Sequence, residues 1–541
     1  MATGLPSSLV IDGRGQRRPL PPLVWVPSLL IAGAVLLPVA YLLVRAAGAD
    51  EGIWSLLFRA RTLRVLLNTL ALSAAVTAGT IVLALPLAWL TVRTDLPGAR
   101  LWSVLTALPL VVPSYIGGLV IATVFGPAGM LQRLLEALGG IGRMPDIYGF
   151  PGAWLTLTLF TYPYVLLSVR AGLRGLDPSL EESSRSLGEG VWTTFRRVTL
   201  PLLRPWIGAG ALLVVLYVLS DFGAVSMMQF ESFTTAIYLQ YRGSLNRNYA
   251  AVLSLVLVAL ATIILLTGDR NGRSRYHRLG AGAGKLPRRV SLGRWKIPAV
   301  GFCALVTALG VVLPGGVIGY WLVVGLLHGE PLVVALGPAI NSLYVSALGA
   351  GATLLAALPL AILAARYAGP LPNVAMRLTY ATYALPGLVI ALSLVYFAAR
   401  YTPALYQTVG LLVFAYAVHF LPQAVGPLRS ALLQVSPSHE EAAQTLGRTP
   451  RAVLWTVTLP LVRPGAIAAA ALVFLTSMKE LPATLLLSPT GFETLATRIW
   501  STATEGFFAR AAPPSLILLA LSSFSMWLLL TQEEPRMAST S

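Results

Sequence analysis

The sequence predicts an all-α polytopic membrane protein of about twelve transmembrane helices, arranged as two parallel six-helix repeats. Three observations carry this: an apolar composition, apolar runs of bilayer length, and a chain that is written twice. Of the 541 residues 56% are hydrophobic and 11% charged, with a mean hydropathy of +0.75. An ordinary soluble domain has roughly 45–50% apolar and about 25% charged residues. No polar stretch is long enough to build a separate domain, which excludes a soluble enzyme. The single cysteine, Cys303, lies in an apolar run and excludes an intramolecular disulfide and a cysteine metal cluster.

A hydrocarbon core about 30 Å thick needs about 20 helical residues. Runs of that kind place spans at Leu23 to Val44, Leu66 to Leu90, Leu101 to Phe125, Ala153 to Val169, Trp206 to Leu219 and Ala250 to Leu266. A second set follows at Pro298 to Val323, Leu343 to Ala365, Met376 to Phe397, Val409 to Ala424, Ala466 to Met478 and Ser515 to Leu530. The first follows Arg14, Arg17 and Arg18 and precedes Ala46 to Ala49, as a signal peptide would, but its 22 residues exceed the usual apolar region of one, so it reads as a retained helix.

Thirty-nine Lys and Arg against 21 Asp and Glu give a net charge of +18. With both termini on one side, the loops there hold 27 of the basic residues and the opposite loops 12, while the acidic residues split 11 to 10. Basic loops stay in the cytoplasm, so the N- and C-termini are both expected there. This distribution accounts for the charge without nucleic-acid binding.

At an offset of 273, Asn68 to Arg93 and Asn341 to Arg366 share 12 of 26 positions, including Leu85-Pro86-Leu87-Ala88 with Leu358-Pro359-Leu360-Ala361; Pro113 then pairs with Pro386. Beyond this the offset is 259, pairing Pro163 with Pro422, so the first copy carries 14 extra residues, placed in Gly126 to Phe150. Matching polar and proline positions argue for tandem duplication rather than chance likeness of Leu/Ala-rich helices. Copies starting on the same side are parallel repeats about an axis along the membrane normal. The organisation is then a cytoplasmic segment 1–22, a first repeat 23–268, a basic Gly-rich linker 269–296, a second repeat 297–531 and a cytoplasmic tail 532–541.

The best-matched segments outside the spans are two loops, 177–205 and 436–464. Pro178 to Pro205 and Pro437 to Pro464 are identical at 13 of 28 positions. Asp177 and Ser436 stand where an N-cap belongs, each followed by proline at the first helical position and by acidic residues. Gly188 and Gly447 stand at a C′ position, where the chain turns into a second short segment expected to end near Leu200-Pro201 and Leu459-Pro460.

Glu182-Ser183-Ser184 with Gly188, and Glu441-Ala442-Ala443 with Gly447, each followed by Leu-Pro, resemble the EAA loop of the membrane subunits of binding-protein-dependent ABC importers. Ser183 and Ser184 depart from the family's two alanines but keep its small size. The resemblance implies a type I importer permease fold in a bacterial cytoplasmic (inner) membrane, with these eight residues on coupling helices that dock on ATP-hydrolysing subunits. It also implies two copies of an ATPase subunit, a soluble substrate-binding protein on the external side, and no cofactor on this chain, ATP and Mg residing on the ATPase. Amphipathic helices lying on lipid headgroups are the plainer alternative. Gly280 to Lys285 superficially matches a phosphate-binding loop but lacks its first glycine, at Leu279, and its hydroxyl, at Leu286. ATP hydrolysis is therefore expected on a separate protein, and this chain has no catalytic residues of its own.

Ser220 to Val225 with Ala236-Ile237-Tyr238, and Met478 to Thr484 with Thr494 to Arg498, look like the ferric iron importer permeases, which are likewise fused twelve-span chains. Permeases for thiamine, polyamines and phosphonates share that architecture and stay open, as does, from another class, an ion-coupled secondary transporter. The last should carry ionisable groups at mid-span, and few are found here. Asp221 and Glu480 are repeat mates. Ionisable groups at such depth face a cavity or a partner. Ferric ion favours oxygen ligands, so the two carboxylates with Tyr217 and Tyr238 suit a substrate pathway. The other reading, preferred here, has Asp221 capping a helix and Glu480 paired with a cation such as Lys479 or Arg498. Met227 and Met228 read as packing, and the four histidines, with no i, i+4 pair, give no metal site.

Overall fold

The computed structural model describes residues 22–48, 52, 55, 57–139, 144–243, 248–273, 289–330, 335–367 and 369–533. The segment 1–21, linker residues 274–288 with the Gly280 to Lys285 run, and the tail from 534 lie outside the described residues. Among the described residues eleven helices are long and apolar enough to cross a bilayer, and twelve if one bent pair counts as a single span. In chain order the first repeat contributes α1 (Pro22–Ala47), α2 (Ala60–Arg93), α3 (Ala99–Leu105), α4 (Ser114–Phe125), α5 (Met130–Ala137), α6 (Phe150–Gly175), α7 (Pro178–Ser186), α8 (Val191–Ser220), α9 (Gly223–Met227), α10 (Phe233–Gly243) and α11 (Asn248–Arg273). The second contributes α12 (Gly293–Leu327), α13 (Leu336–Arg366), α14 (Pro370–Ala381), α15 (Gly387–Tyr401), α16 (Val409–Gln434), α17 (Pro437–Thr445), α18 (Leu454–Met478), α19 (Pro482–Leu487), α20 (Leu495–Thr504) and α21 (Phe508–Glu533).

Two expected spans are broken. Leu101 to Phe125 is not one helix: α3 stops, a 3₁₀ turn covers Leu108–Val111, and α4 begins after Pro113. The ninth span is likewise two pieces, Pro370–Ala384 and Gly387–Tyr401, meeting at 103° across Pro386. The cause is proline, which has no N–H to donate and whose ring strikes the carbonyl four residues earlier. Pro113 and Pro386 both adopt extended backbone, with φ of −61° and −58°, and helix restarts at the next residue. The restarted pieces are the most enclosed helices of their repeats: Gly387 to Tyr396 is buried at every position, as expected of a helix apolar on all sides.

A break inside apolar surroundings leaves carbonyls without partners, and those must be satisfied from within the protein. In the first repeat α6 supplies the donors. Arg170 is 4% exposed, and its guanidinium donates to the Ser103 carbonyl at 2.7 Å, to Thr106 Oγ1 at 2.8 Å and to Thr91 Oγ1 at 3.1 Å. The Tyr162 hydroxyl donates to the Thr106 carbonyl at 2.6 Å. Arg170 thus closes the C-terminal end of α3, where the helix dipole also favours a cation.

A second correction concerns the segments after Gly188 and Gly447. They do not end at Leu200-Pro201 and Leu459-Pro460 but run on into α8 and α18 through π turns at Phe195–Thr199 and Leu454–Thr458. A third π turn, Ala308–Val312 in α12, precedes Leu313-Pro314. In each, the amide of the residue before proline bonds the carbonyl five residues back, as from Leu200 to Phe195. The wider turn makes room for the proline ring, so helix continues where an α-helix would kink.

The chain divides into two compact units, with three of their four limits inside helices. One comprises the chain up to Tyr41, Ile340–Phe492 and the residues from Phe524; the other comprises Leu42–Ala339 and Glu493–Ser523. Within the first unit, α1 is fastened to α15: Ser393 donates to the Pro38 carbonyl at 2.7 Å and Tyr41 to the Tyr396 carbonyl at 3.2 Å. Within the second, α2 packs along α6 and α6 along α8, around Leu72, Val76, Leu87, Leu157, Val165, Leu166 and Val214.

Arg170→Met removes the donors that close α3. It is expected to destabilise the solubilised protein by about 1–3 kcal/mol, the cost of leaving a buried carbonyl unsatisfied, with Arg170→Lys restoring part of it; thermal unfolding in detergent measures both.

Candidate functional site

The two matched loops fold alike. At the start of α7 the Asp177 carboxylate accepts from the Ser179 amide at 2.9 Å, and at the start of α17 Ser436 Oγ accepts from the Ser438 amide at 3.4 Å. Each helix ends on a glycine with positive φ, Gly188 at +88° and Gly447 at +84°. The residues that follow close the turn: the Glu189 amide reaches the Ser184 carbonyl at 3.3 Å and the Arg448 amide the Ala443 carbonyl at 3.2 Å. This pairing requires a left-handed residue, which glycine adopts at least cost.

Glu182, Ser183 and Ala442 are exposed, Ser184 and Glu441 half-buried, and Ala443 buried. Large apolar side chains stand out beside them: Leu187 is 84% exposed, Trp192 71%, Leu446 83% and Trp455 70%. Leu187 and Leu446 cap the ends of the short helices, and Trp192 and Trp455 stand at the roots of the rising helices that follow. The Ser-for-Ala departure is compensated locally. Ser184 Oγ and Thr194 Oγ1 lie 3.0 Å apart in a hydrogen bond, whereas their repeat mates Ala443 and Val453 are both buried apolar residues.

Glu181 and Glu440, each one residue before the singled-out glutamates, turn the other way. Glu181 accepts from the Thr199 hydroxyl at 2.9 Å and lies 3.6 Å from the Arg93 guanidinium; Glu440 accepts from Thr458 at 3.0 Å and from Arg366 at 2.9 Å. Sequence reasoning passed over all six, although the signal was there: both arginines end the aligned 26-residue block, and both Glu and Thr positions are identical in the aligned loops. Next to Arg93, the end of the linker is strapped to the end of α2. The Val290 amide donates to the Arg93 carbonyl at 2.8 Å and the Asp95 amide to the Val290 carbonyl at 3.1 Å, the Leu292 amide donates to Asp95 Oδ1 at 2.8 Å, and Lys296 pairs with Asp95 at 2.9 Å. The Leu292 amide, then Lys296, hold the Asp95 carboxyl below its ordinary pKa.

The two mid-chain carboxylates serve short helices. Asp221 is 6% exposed, and its Oδ2 accepts from the amides of Ala224 and Val225 at 3.0 and 3.2 Å, capping α9; its own carbonyl accepts from Thr234 at 2.6 Å. Glu480 does the same for α19: Oε1 accepts from the Ala483 amide at 3.2 Å, and its carbonyl from Thr484 at 2.6 Å. Gly387, at the restart of α15, leaves room for Glu480, since a Cβ there would lie 2.5 Å from Oε1. Arg498, named above as a possible partner of Glu480, pairs instead with Glu493 at 3.4 Å. Tyr217 packs against the Tyr164 ring, and Tyr238 against Phe222 with Arg242 over its face. Among the described residues no three His, Cys, Asp or Glu side chains converge in a way that could hold a metal ion.

Comparison with known proteins adds to this geometry. The family model of the binding-protein-dependent transport system inner membrane component matches twice, at residues 80–270 and 357–537. The chain belongs to that family. The Fe(3+)-transport system permease protein FbpB 2 of Haemophilus influenzae is 38% identical over 522 residues, 94% of this chain and 99% of that protein. The ferric transport system permease protein FbpB of Actinobacillus pleuropneumoniae is 25% identical over 81% of this chain and 66% of its own length. The molybdenum transport system permease protein ModB of Escherichia coli is 32% identical over 200 residues, which is 36% of this chain and 86% of that protein.

Membership in this permease family replaces the ion-coupled secondary transporter as an account of the twelve-span architecture. The geometry sets apart two kinds of candidate residue in this permease: those of the matched loops, and buried carboxylates occupied with backbone amides. If capping is what Asp221 and Glu480 do, Asp221→Asn and Glu480→Gln, which keep an acceptor oxygen, leave uptake near the parent level. The alanine variants lower stability by about 0.5–2 kcal/mol each, the usual cost of a lost cap. Thermal midpoints and uptake rates measured on the same preparations decide; uptake abolished by the amides at unchanged stability shows a pathway role instead.

Proposed function

We propose that this chain is the membrane-spanning subunit of an ATP-driven importer that takes up ferric iron handed over by a soluble binding protein. The observation that carries the cargo is the likeness to a ferric transport permease along essentially the whole of both chains. The molybdenum permease, by contrast, aligns over 200 residues, less than the length of one repeat. The charge distribution supports cytoplasmic N- and C-termini. On that orientation α7 and α17 lie in the cytoplasm, where Glu182, Ser183, Ser184, Gly188, Glu441, Ala442, Ala443 and Gly447 form twin docking surfaces for two ATPase subunits. Leu187 and Leu446 at the ends of these helices, and Trp192 and Trp455 just beyond them, are largely exposed and fit such contacts.

The energy source follows from the same reading. ATP and its Mg are bound and hydrolysed on the ATPase subunits, and closure of these subunits moves α7 and α17 together. The stroke enters the membrane helices at once, because α8 and the segment through Pro450–Val453 and α18 rise from the loops without interruption. Ferric iron is cargo here, bound chiefly by the soluble protein outside. A permease side chain set that gripped it tightly would slow its release, as for any conduction path.

Reconstituted with its ATPase and binding protein, the permease should hydrolyse ATP faster when the binding protein carries ferric ion than when it is empty or offered thiamine, a polyamine or a phosphonate. Glu441→Arg, which inverts a docking charge, should lower ATPase retention on affinity purification and uptake together. Stimulation by another solute and not by ferric ion would overturn the cargo; full retention and uptake in a double Glu182→Arg, Glu441→Arg variant would overturn the docking surface.

A further inference from the structure

We propose that Arg93, Glu181 and Thr199, and their repeat mates Arg366, Glu440 and Thr458, are positioning residues that lock each coupling helix to two membrane helices, so that a stroke moves them as one body. The proposal rests on the reading of α7 and α17 as coupling helices. Successive residues of an α-helix point about 100° apart, so two adjacent glutamates cannot face the same way. In both loops the second glutamate of the pair faces outward or lies half-exposed, while the first turns into the chain. There it meets the last residue of the long preceding helix, Arg93 of α2 or Arg366 of α13, and the last residue of the π turn, Thr199 or Thr458. One carboxylate thus ties three elements.

The tie is enclosed. The side chain of Arg93 is 2% exposed and that of Glu181 18%, against 15% and 16% for Arg366 and Glu440. At such burial neither charge can be withdrawn without leaving the other uncompensated, and the pair resists separation. Water screens it little. The π turn completes the device, because it places Thr199 and Thr458 at the root of continuous helices instead of in a flexible loop. Arg366 grips one point more, the Val435 carbonyl at 3.1 Å, just ahead of the N-cap Ser436. With its 2.9 Å ion pair against 3.6 Å for Arg93 and Glu181, the second latch is the tighter.

The test uses the permease assembled with its ATPase and binding protein in liposomes, and reads cargo imported per ATP hydrolysed beside ATPase retention. The double variant Glu181→Gln, Glu440→Gln is expected to retain the ATPase and hydrolyse ATP while cargo per ATP falls about fivefold or more, the size of an ordinary coupling free energy. Glu440→Gln alone should cost more than Glu181→Gln alone. Exchanging the charges in one chain, Arg366→Glu with Glu440→Arg, should recover part of the ratio that either single change loses, which a general loss of stability would not do. If the double variant fails to accumulate, Thr199→Val with Thr458→Val removes only the hydroxyl ties and carries the same readout. An unchanged ratio in a normally assembled variant overturns the latch. Loss of ATPase retention in the Gln variants also overturns it, since these glutamates would then be docking residues. Failure of the parent permease to bind any ATPase overturns the coupling-helix reading itself.

Discussion

Every backbone amide and carbonyl held away from water has to find its partner inside the protein. This chain makes that hard for itself, because proline stands inside nearly every long helix and breaks two spans outright, at Pro113 and Pro386. Its polar interior is largely the remedy. Arg170 and Tyr162 serve the carbonyls where α3 stops; Asp221 and Glu480 serve the amides where α9 and α19 begin. At Pro201, Pro314 and Pro460, where helix runs on through proline, a π turn widens the path. Breaks, caps and wide turns are three answers to one constraint, and together they decide which helices cross, which fold back and which run straight out of the loops.

That constraint changes how an ionisable residue in such a chain is to be read. A carboxylate deep between apolar helices invites a role toward cargo, and ferric ion would welcome oxygen ligands. Yet Asp221 has two amides on one carboxylate oxygen, and Glu480 has one amide in a space that only Gly387 leaves open. A carboxylate engaged in this way is a poor ligand for something that has to pass and leave. The same logic separates Glu181 from Glu182: adjacent in sequence, one is spent on the chain's own architecture and one is free to face outward.

Much of this was legible in the residues alone. The spans follow from apolar runs, the duplication from Asn68 to Arg93 repeating at Asn341 to Arg366, and both loop helices from their Asp or Ser caps, first-turn prolines and closing glycines. What the residues did not disclose has a common cause. Hydropathy measures the solvent a segment prefers and is blind to backbone continuity, so Leu101 to Phe125 and Met376 to Phe397 read as unbroken. Pro113 and Pro386, already paired by the repeat, were the available sign that both would break. At Pro201 and Pro460 proline had the opposite outcome, because the π turn absorbed it, and no rule of composition distinguishes the two cases. The inward face of Glu181 was equally hidden: its partners Arg93 and Thr199 lie 88 residues back and 18 residues ahead in the chain, and only folding brings them together.

The two copies also differ in a way that bears on what each position is for. At one contact between the loop helix and the rising helix, the first copy uses a hydroxyl pair, Ser184 with Thr194, and the second an apolar pair, Ala443 with Val453. Polar and apolar solutions are thus interchangeable there, as they commonly are in packed interiors when both partners change together. A buried ion pair is open to the same replacement, and well-packed apolar residues are often as stable or more so. Nevertheless Arg, Glu and Thr stand unchanged in both copies at the contact beside it. Stability alone does not account for keeping the costlier chemistry twice while its neighbour drifted. In the second copy the carboxylate takes a guanidinium from one side and a hydroxyl from another, which fixes direction as well as distance, and in the first the hydroxyl does so while the guanidinium at 3.6 Å adds its charge; direction is what a helix needs if it is to pass a displacement on without rolling.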